Sequence, residues 1–213
     1  MTDTNDESQE IKTPPQDKTS KKISEYVLEG LAKNRRFKFL LVGRTGVGKS
    51  STINRLIGKE VATVNDFEPE TVEVKEYNSD IDGVPFTVVD TPGLADDLDE
   101  FRKDQKYLDS IRSQVKKIDC LFFVTRLDDT RVSRDEKQAI KVISEELEPN
   151  EGDSSIWENS VIVFTFANNV QSSKYSNTLE KRTKLIQKEI EKHTDSNIAN
   201  NIPSVGVDTN NPK

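Results

Sequence analysis

Phe37-Lys38-Phe39-Leu40-Leu41-Val42-Gly43-Arg44-Thr45-Gly46-Val47-Gly48-Lys49-Ser50 decides the fold of this chain. An apolar run of strand length meets a glycine, and Gly43, Gly48, Lys49 and Ser50 satisfy the spacing G-x-x-x-x-G-K-[ST]. Ser51-Thr52-Ile53-Asn54-Arg55-Leu56-Ile57 then reads as a helix, so the motif sits between strand and helix as a phosphate-binding loop must. Gly43 and Gly48 are expected to take backbone angles that other residues resist. The amides of Thr45, Gly46, Val47, Gly48, Lys49 and Ser50 would then turn inward as an anion-binding concavity at the helix start. Lys49 is placed to reach the β- and γ-phosphates and the Ser50 hydroxyl to ligate Mg²⁺, with Arg44 and Ser51 completing the loop.

Upstream, residues 1–20 are rich in Asp, Glu, Thr, Ser, Gln and Pro with almost no large apolar side chain, and read as a disordered acidic and polar tail. Ile23, Val27, Leu28 and Leu31 recur at helical spacing and predict a short amphipathic helix leading into the strand. Downstream, 61–70 is an acidic connector, 71–77 alternates as a half-exposed strand, and Asp82-Gly83 signals a turn into a buried strand over 86–89, so these two strands pair antiparallel. A long helical pattern runs through Leu108, Ile111, Val115 and Ile118, followed by a strand at 120–124 and a helix with Ile140, Ile143 and Leu147 on one face. A loop at 148–158, a strand at 161–166, a charged helix at about 178–193 and a last strand at 202–207 complete the order. Strands alternating with helices after the first hairpin predict an α/β fold, with a mostly parallel six-stranded sheet, one antiparallel strand and helices on both faces. The reading assigns 21–213 to one domain; a domain of this order ordinarily closes with one more helix, which suggests a C-terminal truncation or a closing helix contributed elsewhere.

The 213 residues carry a net charge of -7, which argues against a nucleic-acid or anionic-membrane surface. Cys120 lies inside an apolar run, as a core residue would, and a single cysteine fits a reducing, cytoplasmic compartment. No apolar stretch reaches the ~18–20 residues of a membrane span. The only histidine, His193, lies near a predicted helix end, and the alternation Glu180, Lys181, Arg182, Lys184, Lys188, Glu189, Glu191 and Lys192 reads as a solvated helix face.

Two further elements bear on chemistry. Asp90 stands at the end of a buried strand, where a carboxylate can hold Mg²⁺ through its water shell. In Asp90-Thr91-Pro92-Gly93 the Gly93 amide is spaced to bond a γ-phosphate and to release the following segment on hydrolysis, the behaviour of a switch nucleotide hydrolase. A second switch needs a hydroxyl that completes the Mg²⁺ shell, and Thr71 is favoured over Thr63 because Thr63 lies too close to the preceding helix.

The loop at 43–51, Asp90-Thr91-Pro92-Gly93-Leu94 and above all Phe122-Phe123-Val124-Thr125-Arg126-Leu127-Asp128-Asp129-Thr130-Arg131-Val132 resemble the septin-related GTPases. Within that group the chain is most similar to the immunity-associated nucleotide-binding proteins and the chloroplast outer-envelope import-receptor GTPases, over about residues 35 to 207. The resemblance implies a Ras-like P-loop fold, GTP and GDP with Mg²⁺ as ligands, and a switch working through homodimers of the nucleotide-binding face. Leu94 stands where many Ras-like GTPases place a water-orienting Gln, so slow intrinsic hydrolysis is expected. Arg131 matches an Arg of the import-receptor pattern that faces the dimer partner, and three roles stay open for it: a finger in trans, a contact to the partner's nucleotide, or a surface ion pair with Asp128 or Asp129. The usual Asn/Thr-Lys-x-Asp base motif is replaced by Thr165-Phe166-Ala167-Asn168. Phe166 could cover the base by stacking, Asn168 could bond it with one acceptor oxygen, and Asp208, in the loop after the last strand, is a candidate for the missing carboxylate. Two rival readings remain at this stage: a nucleotide-dependent dimer or polymer scaffold with negligible turnover, and an ATP-using P-loop enzyme.

Overall fold

The computed structural model describes residues 35–62, 74–91, 112–113, 118–147 and 155–208. The N-terminal tail and helix, most of the predicted helix before Cys120, Thr63, Thr71 and Gly93 lie outside the described residues.

Six strands form one sheet in the order β2-β3-β1-β4-β5-β6. They are β1 (Phe37–Val42), β2 (Lys75–Ile81), β3 (Val84–Asp90), β4 (Cys120–Arg126), β5 (Ser160–Thr165) and β6 (Ser204–Gly206). Every pairing is parallel except β2 with β3. The central strands are apolar on both faces because both are covered. Leu40 and Val42 of β1, Leu121 and Phe123 of β4, and Ile162 and Phe164 of β5 enter one core with Ile140 and Ile143 of α2 (Arg134–Glu146) and Ile186 and Ile190 of α3 (Tyr175–Ile190). The alternate residues Phe37 and Leu41, Val124 and Val163 enter a second core with Ile53 of α1 (Lys49–Ile57). Each large apolar side chain so buried contributes about 1.5–3 kcal/mol, and the period-two division between faces fixes strand register.

The β2–β3 hairpin turns at Asp82 (φ 51°) and Gly83 (φ 81°), the pair of left-handed residues a two-residue turn demands. Pairing from Ile81↔Val84 back to Lys75↔Asp90 carries β2 to Ile81, so the strand expected at 71–77 lies later among the described residues. The expected loop at 148–158 ends in a short 3₁₀ helix, Ile156–Asn159. It buries Trp157, whose Nε1–H donates to Ser144 Oγ at 2.9 Å and whose ring meets Phe123 edge-on. The last strand is shorter than expected, and ahead of it 196–201 forms α4 (Ser196–Asn201), which the sequence reading did not anticipate and whose N-cap Asp195 accepts from the Asn197 amide.

The charged face of α3 is a second correction. Arg182, read from sequence as solvated, is 2% exposed, and Glu189 is 9% exposed. Glu189 accepts from Lys192 Nζ at 2.7 Å, and Arg182 reaches inward to Glu136.

Candidate nucleotide-binding site

β1 delivers its last residue, Val42, to the loop, and α1 begins at Lys49. Gly46 (φ 72°) and Gly48 (φ 89°) supply the left-handed turns of the loop. Gly43 is required for another reason than the one read from sequence. Its backbone is not left-handed, but a Cβ there would collide with the Val124 carbonyl oxygen and lie 3.2 Å from Val47 Cγ2. The loop thus packs directly onto β4. At the start of α1 the cap residue is Gly48, with no capping side chain and no acidic residue in the first turn, so the positive end of the helix dipole meets the concavity without a competing carboxylate.

Lys49 Nζ donates to the carbonyls of Gly43 at 3.1 Å and Arg44 at 3.2 Å, holding its charge across the mouth of the loop. Ser50 and Ser51 are half-buried beside it. Asp90 is 1% exposed, in register with Leu41 at the end of β1, and Thr91 Oγ1 donates to the Leu41 carbonyl at 2.8 Å. The structure therefore brings Lys49, Ser50 and Asp90 to one end of adjacent strands β1 and β3. A hydroxyl and a carboxylate are hard oxygen donors suited to Mg²⁺, which keeps most of its waters and takes few protein ligands.

Two ties fix the loop from outside. Thr165 Oγ1, at the end of β5, donates to the Val47 carbonyl at 2.6 Å and also approaches the Thr125 carbonyl at 3.0 Å. Thr165 is fully buried, so its hydroxyl is spent on the phosphate loop rather than facing a base. Arg44 pairs with Asp129 at 3.2 Å, joining the loop to the segment after β4.

Beyond β5, Phe166 is left-handed (φ 53°) and opens the 3₁₀ turn Ala167–Asn169, in which Asn168 is exposed. The Ala167 amide donates to the Val207 carbonyl at 3.3 Å, which brings half-buried Asp208 to the same end of the sheet as Phe166 and Asn168. Sequence reading missed what covers Phe166. The Arg126 guanidinium lies 3.9 Å from the ring centroid and pairs with Asp128 through Nε (2.9 Å) and a terminal nitrogen (2.8 Å), while Asn169 donates to Asp128 at 2.8 Å. The Arg126 side chain holds the Asp128 carboxyl below the usual carboxylate range, and Asn169 adds to this against the cost of partial burial. The i, i+2 spacing of Arg126 and Asp128 was the available signal. Arg131 is exposed. Both carboxylates that the sequence offered it are engaged by other cations, Asp128 by Arg126 and Asp129 by Arg44.

A phosphate-binding loop on the central strand of this sheet, with an acid closing the adjacent strand, defines a P-loop domain of the GTPase type. The AIG1 family's sequence profile matches residues 37–202, and the chain belongs to that family. Translocase of chloroplast 159 from Arabidopsis thaliana is 32% identical over 130 residues, 60% of this chain but 8% of that protein's length. Toc33 from Arabidopsis thaliana, solved in complex with GDP and Mg²⁺, superposes with a TM-score of 0.68 at 26% identity, covering 90% of this chain and 78% of that one. A further solved chain, with a TM-score of 0.67 at 26% identity over 90% of this chain and 77% of its own, belongs to chloroplast translocon components for whose GTPase activity dimerization is important.

Proposed function

We propose that this chain is a guanine-nucleotide switch domain that binds GTP and GDP with Mg²⁺, hydrolyses GTP slowly alone, and is regulated by homodimerisation through its nucleotide face. The observation that carries the reading is Lys49 Nζ poised over the Gly43 and Arg44 carbonyls, beside Asp90 on the adjoining strand. Lys49 and the loop amides would bind the β- and γ-phosphates and stabilise charge as water attacks the γ-phosphorus and the bond to the bridging oxygen breaks, giving GDP and inorganic phosphate. Ser50, Asp90 and Thr71 would hold Mg²⁺, which supplies further neutralisation of phosphate charge when bound. The Gly93 amide would sense the γ-phosphate. Phe166, Asn168 and Asp208 would contact the base, with Thr165 acting through the phosphate loop. Arg131 would act on the dimer partner's site.

The Toc33 complex with GDP and Mg²⁺ supports the choice of ligands, and the link between dimerization and GTPase activity in translocon components supports the dimer-regulated reading. The finer placement among septin-related GTPases, a domain over 21–213 after a polar tail at 1–20, and a cytosolic setting are part of the same proposal. Among the described residues no helix is long and apolar enough to cross a membrane. A second reading, a nucleotide-dependent scaffold with negligible turnover, is favoured by Leu94 in the place of a water-orienting Gln.

Displacement of a fluorescent GDP by GTP, GDP and ATP in Mg²⁺, followed by single-turnover hydrolysis across protein concentration, tests this. Guanine nucleotides should compete and ATP should not, and the rate per site should climb as dimers form. A preference for ATP overturns the switch reading, and a rate near zero at every concentration gives the scaffold.

A further inference from the structure

The segment that carries Arg131 is fastened from below by one buried ion pair. Arg182 of α3 and Glu136 of α2 meet at 2.8 Å, and each is 2% exposed. Arg182 also reaches backbone: one terminal nitrogen donates to the Arg131 carbonyl at 3.0 Å and the other to the Arg126 carbonyl at 3.2 Å, the latter also approaching Thr125 Oγ1 at 3.4 Å. Glu136 is equally committed. One carboxylate oxygen accepts from Thr125 Oγ1 as well as from Arg182, and the other accepts from the Ser133 amide at 2.7 Å, while Ser133 Oγ accepts from the Glu136 amide in return. Backbone or side chain is therefore gripped at residues 125, 126, 131 and 133 by a single pair, at both ends of the turn 127–130. On its outer side the same turn is tied to the phosphate loop by Arg44–Asp129 and to the Phe166 turn by Asp128–Asn169.

Stability alone accounts poorly for this pair, because a desolvated Arg–Glu pair is often no more stabilising than well-packed apolar residues of similar volume. What an apolar pair could not do is bond the carbonyls of Arg126 and Arg131, at opposite ends of the turn, and fix where the Arg131 side chain leaves the surface. The planar fork of an arginine suits that task, and a lysine's point charge does not.

We propose that Arg182 and Glu136 are positioning residues for Arg131: they hold the 126–133 segment so that Arg131 is presented rigidly to the dimer partner's nucleotide. This rests on the dimer-regulated reading above.

The test uses the full chain with Arg182→Lys, the double variant Arg182→Met/Glu136→Leu, and Arg131→Ala placed in the wild-type and double-variant backgrounds. The double variant leaves no buried unpaired charge, so it keeps the question answerable should a single substitution fail to fold. It should bind fluorescent GDP within about 3-fold of wild type yet lose the rise of rate with concentration by roughly tenfold, and Arg131→Ala should then cost nothing further, the non-additivity expected of coupled residues. Arg182→Lys should not restore the rise. Amide exchange over 127–133 should accelerate in the double variant while β1, β4 and the phosphate loop keep wild-type protection. An Arg131→Ala effect of equal size in both backgrounds, or unchanged exchange at 127–133, overturns the proposal. A wild-type rate independent of concentration would instead strike the dimer-regulated reading, and the exchange result alone would then judge whether the pair holds the segment.

Discussion

The hydroxyl of Thr165, the last residue of β5, donates to the carbonyl of Val47 in the phosphate-binding loop at 2.6 Å, across 118 residues of sequence. Both residues are fully buried. The strand whose far end turns toward the candidate base contacts is thereby tied to the loop that would hold the phosphates. Thr165→Val keeps the shape and leaves the Val47 carbonyl without its hydroxyl donor, so it should destabilise the domain by about 1–3 kcal/mol. Urea unfolding measures this, and GDP affinity should fall with it; a variant as stable as wild type would mean the bond contributes nothing to the fold.

Glycines in and near the loop should differ sharply in tolerance. Gly43→Ala drives a methyl group into the Val124 carbonyl, a backbone atom that cannot swing aside, and should cost about 1–3 kcal/mol together with most nucleotide affinity. Gly58, the C-cap of α1 at φ 72°, has open space around a built Cβ, so Gly58→Ala should cost only about 1 kcal/mol of backbone strain and leave affinity intact. Paired melting and GDP titrations check both.

Lys49→Ala removes a charge that rests on two loop carbonyls without emptying the core. The melting temperature should stay near wild type while GTP affinity drops roughly 100-fold or more, as when one partner of a desolvated charged contact is removed. Calorimetric titration with GTP and Mg²⁺ reads the change, and unaltered affinity would place the triphosphate elsewhere.

Asp128 yields a prediction in pH. Because the Arg126 pairing lowers its pKa in the native state, its contribution is present above the unfolded value of about 3.9 and is lost as pH falls through the lower native value. Wild type should exceed Asp128→Asn by no more than about 1 kcal/mol at pH 7, given the partial exposure of the pair. The gap should hold constant down to about pH 5 and close below pH 4. Denaturation curves across that range test the sign.

Burial pushes the Cys120 thiol up to about 12, so the native protein keeps that proton where an unfolded chain would release it. Alkylation by iodoacetamide at pH 8.5 should be at least about tenfold slower in the native state than in urea. The same shift implies that the thiol's favourable contribution is complete below about pH 8.5 and wanes as pH rises toward the native value. Equal alkylation rates in the two states would contradict the burial.

Much of the site could be read in one dimension because its grammar is local. The strand at 37–42, the loop at 43–50 and the helix after it are contiguous, and each signal, an apolar run, spaced glycines and a polar helix start, acts on neighbouring residues. Asp90 was legible because a buried strand ends there. Arg182 was not: on a helix with charges in nearly every turn, periodicity cannot say which charge faces inward, and only the approach of Glu136 from another helix determines it. The tie of Thr165 to the phosphate loop was illegible for a similar reason, since its partner Val47 is distant in sequence. The helix at 196–201 escaped notice because it is six residues, Ser-Asn-Ile-Ala-Asn-Asn, held by a cap and by contact with α3 through Gln187.

By itself, then, the sequence determined the P-loop spacing, the hairpin at Asp82-Gly83 and most of the alternation of strands and helices among the described residues, and it singled out Lys49, Ser50 and Asp90 as candidates for one site, because local spacing and period-two or helical burial carry those. Tertiary structure alone decided that Gly43 is needed for contact with β4 rather than for its own backbone angle, that Arg126 lies over Phe166, and that Arg182 and Glu136 grip the Arg131 segment. These are meetings between residues far apart in the chain, set by sheet order and by the desolvation that forces buried charges to find one another.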